Sequence, residues 1–262
     1  MSVSPPLSVV TGAGSGIGLA LAHALLDRGH EVIAIDLDPS AVDPRARRHA
    51  IDVRDAAAMA ALATSQKGRP VRHVFANAGI GSRGDVLDAT DATWQWAFDV
   101  NVTAAVRTLR LWWPHLREGR GHAVATVSCA ALQSYPGAGP YRASKAALLA
   151  ALEGLHYQAA GSGVGVHALC PGLVRTQVTE VQRYAEAALL APEGHNPFSE
   201  YIRQAMPHAE PPEHFAQRVL DGLDQGAPFY WFTHPETRDW VLARHRAIES
   251  GGNPFSDFGS PP

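Results

Sequence analysis

Ser8-Val9-Val10-Thr11-Gly12-Ala13-Gly14-Ser15-Gly16-Ile17-Gly18 is the stretch on which the reading of this chain turns. A short β-like apolar run feeds four glycines within seven residues, and Leu19-Ala20-Leu21-Ala22 then continues in a helical pattern. Glycine lets a backbone turn sharply and come close to a bound group. A helix that starts at such a turn presents unpaired N–H groups and the positive end of its dipole. Strand, glycine turn and helix in this order form a phosphate cradle. A glycine-rich segment alone is also an ordinary turn, so the rest of the chain has to decide.

Working outward, short β-like runs alternate with helical stretches, the pattern of a parallel sheet covered by helices on both faces. Ser8–Val10, Glu31–Ile35, a weaker run His49–Asp52, Val71–Ala76, Ala123–Val127, Gly165–Leu169 and Phe229–Phe232 read as strands. Helices are expected from Gly16 to about Arg28, from about Asp55, from Thr90 to Trp113 and after Pro211-Pro212. The third of these should close before Pro114, since proline breaks a helix interior. Pro140 suits the first turn of the helix that carries Tyr141. A last helix should run from Pro235 to about Ile248. The stretch 176–210 is long for a connection between sheet elements, and such excursions tend to be lids or binding loops.

Asp36 ends the second strand, beyond the glycines. A carboxylate there accepts hydrogen bonds from an adenosine ribose and repels a 2′-phosphate. No Arg or Lys lies in the glycine turn or directly after Asp36, which favours NAD over NADP. The plainer alternative is a strand-end turn residue, because Asp38-Pro39 follows.

A chain of 262 residues with 46 % hydrophobic residues can bury a sizeable core within one large α/β domain. Its net charge of −3 gives no electrostatic case for nucleic acid or a membrane surface. No apolar run reaches membrane-spanning length, and the start Met-Ser-Val-Ser-Pro-Pro lacks the pattern of a secretion signal. Cys129 and Cys170 sit in apolar runs, so buried thiols in the reducing cytoplasm are expected. The 13 histidines fall in no metal-ligand spacing, and no metal site is expected.

Chemistry concentrates in Tyr141-Arg-Ala-Ser-Lys145, thirteen positions after Ser128. Lys67 is the only other lysine. Residues four apart on a helix share a face. An ammonium beside a phenol favours the ionised form and brings tyrosine into range as a general acid or base. An amphipathic helix with one Tyr and one Lys is the competing reading of this pair alone.

Taken in order, these segments resemble the short-chain dehydrogenase/reductase family over positions 7 to 176. Thr11–Gly18 is similar to its Thr-Gly-x-x-x-Gly-x-Gly turn, and Asn77-Ala78-Gly79 to its Asn-Ala-Gly after the fourth strand. Asn101, Ser128, Tyr141 and Lys145 match its catalytic tetrad, and Pro171-Gly172 with Thr176 its Pro-Gly-x-x-x-Thr segment. The resemblance implies a single doubly wound Rossmann-fold domain over 1–262, with a seven-stranded parallel sheet in the order 3-2-1-4-5-6-7. It implies that Tyr141 exchanges the proton, Ser128 holds the substrate oxygen, and Lys145 binds the nicotinamide ribose and depresses the tyrosine pKa. Asn101 would support a proton path. Gly12, Ser15, Ile17 and Gly18 would border the pyrophosphate, and Asp52 and Val53 the adenine. Asn77, with Ala78 and Gly79, would support the cofactor, and Pro171, Gly172, Val174 and Thr176 would contact the nicotinamide carboxamide. Homodimers or homotetramers are common in the family, and Trp112-Trp113 is either an oligomer surface or core.

The remaining third names no substrate. Val178, Val181, Tyr184, Leu189, Leu190, Phe198, Tyr201 and Met206 give 176–210 an apolar character that fits a lid. Gln133, Ser134 and Tyr135 are further pocket candidates, and Arg175 and Arg183 candidate carboxylate anchors. The tail from Phe229 to Glu236 resembles C-terminal segments in family members that oxidise aryl alcohols. The expectation is an NAD-dependent oxidoreductase for a hydrophobic, aromatic or cyclic secondary alcohol or ketone. The rival readings are a nonenzymatic NAD-binding scaffold and a redox-neutral epimerase or dehydratase of the extended branch.

Overall fold

A computed structural model describes residues 4–82, 84–133, 135, 137–178, 180, 197–235 and 237–254. Seven parallel strands form one sheet in the order β3-β2-β1-β4-β5-β6-β7. They are β1 (Leu7–Thr11), β2 (Glu31–Asp36), β3 (Arg47–Ala50), β4 (Val71–Ala76), β5 (His122–Thr126), β6 (Gly165–Cys170) and β7 (Tyr230–Phe232). The central strands are buried on both faces, so their residues alternate between two cores rather than between core and water. On β4, Val74 joins the core that holds Trp112, Leu116 and Leu152. Its neighbour Phe75 joins the core that holds Leu21, Leu25 and Phe215.

Among the described residues eight α-helices complete the frame: α1 (Gly16–Asp27), α2 (Ala56–Ser65), α3 (Asp91–Phe98), α4 (Ala105–Gly119), α5 (Gly139–Gln158), α6 (Pro197–Ala205), α7 (Pro212–Asp224) and α8 (Thr237–Glu249). Helix α2 starts where Asp55 caps the N–H groups of Ala57 and Ala58. Strand order reverses at β1/β4, and open α/β sheets bind ligands at the carboxyl ends of their strands at such a point.

Two expectations need correction, and one open alternative is decided. The stretch predicted as one helix from Thr90 to Trp113 begins on its Thr90 cap, passes through a π-helical turn over Asp99–Ala104, and runs to Gly119 with Pro114 inside it. Proline in a helix interior costs about 3 kcal/mol. Fully buried Trp112 and Leu116 on either side of it offset that cost through packing. Strand β3 lies at Arg47–Ala50, two residues earlier than expected. Its side chains are mostly exposed, so pairing with β2 rather than a hydrophobic pattern fixes it. Trp112 is core, which settles one half of the Trp112-Trp113 question.

Candidate active site

A cavity of about 1400 Å³ opens at the carboxyl ends of the strands. Its wall collects residues that the sequence scatters widely: Gly12, Ser15 and Ile17 from the glycine turn, Asp36, Asp52 and Val53 from the next two strand ends, and Asn77, Ala78 and Gly79 after β4. Ser128, Tyr141, Lys145, Pro171, Gly172, Val174 and Thr176 line the same space. Two expected site residues, Gly18 and Asn101, stand behind the wall. A Cβ on Gly18 would lie 2.0 Å from the Gly12 carbonyl oxygen, so glycine there lets α1 start tight against the turn.

The turn is braced from behind. The Thr11 hydroxyl donates to the Phe75 carbonyl at 3.3 Å and accepts from the N–H groups of Asn77 and Ala78 at 3.0 and 3.1 Å. The Asn77 amide donates to the Thr11 carbonyl at 3.2 Å and accepts from the Thr126 hydroxyl at 2.9 Å. At the mouth, the Asp36 carboxylate takes the N–H of Gly14 at 2.8 Å and that of Asp38 at 3.0 Å. Asp52 is clasped by Arg54, with bonds from 2.6 to 3.1 Å. Burial works to raise the Asp52 pKa, but those bonds outweigh it and the net shift is downward. Arg54 also lines the cavity, a basic group absent from the sequence reading because it lies beyond the third strand.

The chemical end is built on α5. Tyr141 and Lys145 share one face of that helix, with the Lys145 Nζ 5.9 Å from the centre of the phenol ring. Lys145 is 4 % exposed and donates to the Thr126 carbonyl at 2.8 Å. Burial pushes its pKa down to about 8. Burial pushes the Tyr141 phenol up to about 12, and hydrogen bonding with Ser128 opposes that rise. The direction on the phenol is opposite to the depression expected at Tyr141. The ammonium is engaged with Thr126, and burial disfavours charge on both groups.

Ser128 sits in a turn with φ of 118°, a strained value for a residue with a side chain. Asn101 lies in the π-helical turn, a feature frequent at functional sites. Its side chain accepts from the Ile80 N–H at 2.9 Å and donates to the Ile80 carbonyl and the Ser144 hydroxyl, both at 3.0 Å. Ser144 in turn donates to the Tyr141 carbonyl at 2.7 Å. A Cβ on Gly79 would lie 3.2 Å from both Asn101 Oδ1 and Lys145 Nζ, so a side chain at that position would crowd both polar groups.

Trp96, Tyr135, Val178, Tyr201, Met206 and Trp240 add apolar and aromatic lining, beside the polar Gln133, Gln177 and Glu180. Tyr201 and Trp240 pack with ring centres 6.4 Å apart. Val181, Arg183, Tyr184, Leu189 and Leu190 lie outside the described residues, as do Ser134, Glu236 and the side chain of Phe198. Arg175 lines the cavity. Cys170 is buried as expected, whereas Cys129 is half-buried, in a short helical turn at the cavity wall. Sequence reasoning missed Trp240, Arg54, Ser82 and Arg142. Ser82 accepts the Tyr141 N–H at 2.9 Å, and Arg142 donates to the carbonyls of Tyr135 and Gln133 at 2.5 and 2.7 Å. The position of Arg142 next to Tyr141 was the one available signal.

The short chain dehydrogenase model matches residues 7–187 of this sequence. The chain belongs to that family. A galactitol 2-dehydrogenase (L-tagatose-forming) of Cereibacter sphaeroides is 36 % identical over 184 residues, 66 % of this chain and 72 % of the relative. A short-chain dehydrogenase/reductase of Burkholderia phymatum, solved in complex with NAD, superposes with a TM-score of 0.83 at 28 % identity, covering 98 % of both chains. One from Burkholderia cenocepacia J2315, in complex with NADP, has a TM-score of 0.74 at 22 % identity, covering 96 % of this chain and 98 % of the other, and speaks to the fold. This short-chain dehydrogenase is therefore an oxidoreductase acting on CH–OH groups with NAD(P), which sets aside the scaffold reading. Among its described residues no helix is long and apolar enough to cross a membrane, and no three potential ligands cluster to hold a metal ion.

Proposed function

We propose that this short-chain dehydrogenase uses NAD to interconvert a hydrophobic secondary alcohol and its ketone, with Tyr141 as general acid and base. The observation that carries this reading is the convergence of Tyr141, Ser128 and Lys145 on the cavity that the glycine turn also lines. The residues present fit a dinucleotide. The turn and the N-terminus of α1 face the cavity, and the Asp36 carboxylate stands beyond them at a strand end. Gly12, Ser15 and Ile17 would border the pyrophosphate, Asp52 and Val53 the adenine, and Asp36 the ribose. Pro171, Gly172, Val174 and Thr176 would hold the carboxamide end, with Asn77, Ala78 and Gly79 beneath. When bound, the nicotinamide cofactor supplies or accepts the electron pair and hydrogen exchanged with the substrate carbon.

The protein's own part is proton transfer and placement. During reduction the phenol, held near pKa 12, keeps its proton until the substrate oxygen gains charge, then donates it. Ser128 holds the same oxygen. During oxidation Tyr141 receives the alcohol proton, and the Lys145 ammonium offsets the charge of a phenolate. Asn101, behind the cavity wall with Gly79 between it and Lys145, would support the proton path. The aromatic wall suits an apolar, ring-bearing substrate. Segment 176–210 acts as the lid of a single domain spanning 1–262, in a cytoplasmic homodimer or homotetramer.

A screen of secondary alcohols and ketones with NAD and NADP in parallel, followed by reduced-nicotinamide absorbance, tests this reading. Aryl and cyclic alcohols should be oxidised at least tenfold more efficiently with NAD. Preference for NADP would overturn the role given to Asp36, and an active Tyr141→Phe variant that given to Tyr141.

A further inference from the structure

The peptide between Pro171 and Gly172 is held on both of its polar edges. Its carbonyl accepts the Cys129 N–H at 3.0 Å, which ties it to the strained turn at Ser128. Its N–H donates to His234 Nδ1 at 3.0 Å, across 62 positions of sequence. A peptide plane with both edges engaged cannot rotate without breaking one bond, and each bond polarises the other.

His234 is itself fixed. Because Nδ1 accepts the Gly172 N–H, the ring proton belongs on Nε2, which lies 3.2 Å from Glu210 Oε2, within ion-pair range but outside hydrogen-bond geometry. The Thr233 hydroxyl also lies 3.0 Å from Nδ1, and the Phe215 ring stacks at 6.1 Å between centres. Arg218 clasps both oxygens of Glu210 at 3.0 and 2.5 Å and reaches the Thr233 carbonyl at 2.6 Å. The Glu210 backbone also pairs with Val174 and accepts the Arg175 N–H at 2.9 Å. Residue 172 has to be glycine for this approach, since a Cβ there would lie 2.9 Å from His234 Cβ.

We propose that His234, oriented by Glu210 and Arg218, is a positioning residue for the redox step, acting through the Pro171–Gly172 peptide. It sets the cavity-facing segment Pro171–Thr176 and the Ser128 turn in one register, so that the oxygen-binding hydroxyl and the carboxamide-binding backbone stay at a fixed separation. Misplacement by about 1 Å can cost a hundredfold in rate. The inference rests on the roles given above to Ser128 and to segment 171–176.

The test compares His234→Leu, which removes the acceptor, with His234→Asn, whose Oδ1 can replace Nδ1, and with Arg218→Met, which frees Glu210. NAD dissociation constants, kcat and KM with the best alcohol from the screen, the primary deuterium isotope effect, and amide exchange in peptides containing Cys129 and Gly172 are measured on each folded protein. The expected result for His234→Leu is a kcat at least tenfold lower with an increased isotope effect, NAD binding within threefold of the parent, and amide exchange at least tenfold faster. His234→Asn should recover most of the loss, and Arg218→Met should show a smaller loss of the same kind. Parental kcat and isotope effect in His234→Leu would overturn the inference, as would equal damage in Leu and Asn with normal exchange at Gly172. If His234→Leu does not fold, parental kinetics and exchange in His234→Asn together with an impaired Arg218→Ala, which removes the clasp outright, sustain the acceptor role; an unimpaired Arg218→Ala overturns it. Tyr141→Phe serves as the control: inactive Tyr141→Phe beside fully active His234→Leu sinks this inference alone, whereas active Tyr141→Phe removes the reading beneath it.

Discussion

The two ends of the sheet bury titratable groups by the same physics and use them differently. At the carboxyl ends, Tyr141 and Lys145 are pushed to about 12 and about 8 beside an open cavity. Toward the amino ends, His30, His73, His122 and His167 stack across the strands with ring centres 5.4, 5.4 and 5.2 Å apart, and Trp231 closes the row at 6.1 Å. Burial lowers all four, His73 to about 2 and His122 to about 4, with Arg72 and neighbouring imidazoles adding to the effect. None of these four lines the site cavity. Desolvation alone does not make a catalyst; access to a substrate does. Changes at one end should move turnover, and changes at the other should move stability.

Tyr141→Phe should give the largest effect. Turnover should fall about a thousandfold, the scale of lost general acid–base catalysis, while NAD binding measured by fluorescence stays within twofold. A second break is Lys145→Met, with turnover down about a hundredfold. The same change should stabilise the protein at pH 7 by about 2 kcal/mol in denaturant titrations, because a buried ammonium is removed at the cost of one hydrogen bond. Lower stability of Lys145→Met would mean that Lys145 is not penalised by burial.

The histidine end responds to acid. The folded-state pKa of His73 lies below the unfolded value of 6.5, so the folded protein binds fewer protons. Its stabilising contribution is complete above pH 6.5 and declines as pH falls toward about 2. Between pH 6.5 and 4.5 the loss amounts to about 2 kcal/mol. His73→Phe should flatten that acid slope in urea titrations and leave kcat at its parental value. An unchanged slope would move the acid sensitivity elsewhere. The smallest expected effect sharpens the cofactor side: Asp36→Ser should shift the NAD-to-NADP ratio of kcat/KM about tenfold toward NADP.

Local chemistry made much of this legible. The glycine turn, the Tyr141–Lys145 spacing and the strand alternation each depend on residues within one or two turns of one another. The misreadings came where packing overrode local preference. Pro114 is carried inside α4 by its buried neighbours, and β3 is an exposed edge strand with no hydrophobic signature. The upward shift on Tyr141 depends on how deeply α5 is buried, which no spacing expresses.

By itself the sequence determined the alternation of strands and helices, the glycine turn after the first strand and the placing of Tyr141 and Lys145 on one helix face, since glycine conformations, helical periodicity and side-chain chemistry are intrinsic to the chain; the sheet order followed from the family resemblance. Only the tertiary structure decided that Cys129 and His234 grip the peptide after β6, that Ser82 and Arg142 bond the first turn of α5 and the loop before it, and that four histidines line up across the strands. Those contacts join residues far apart in sequence, and it is the closing of the sheet and its helices around two cores that brings them within hydrogen-bonding range.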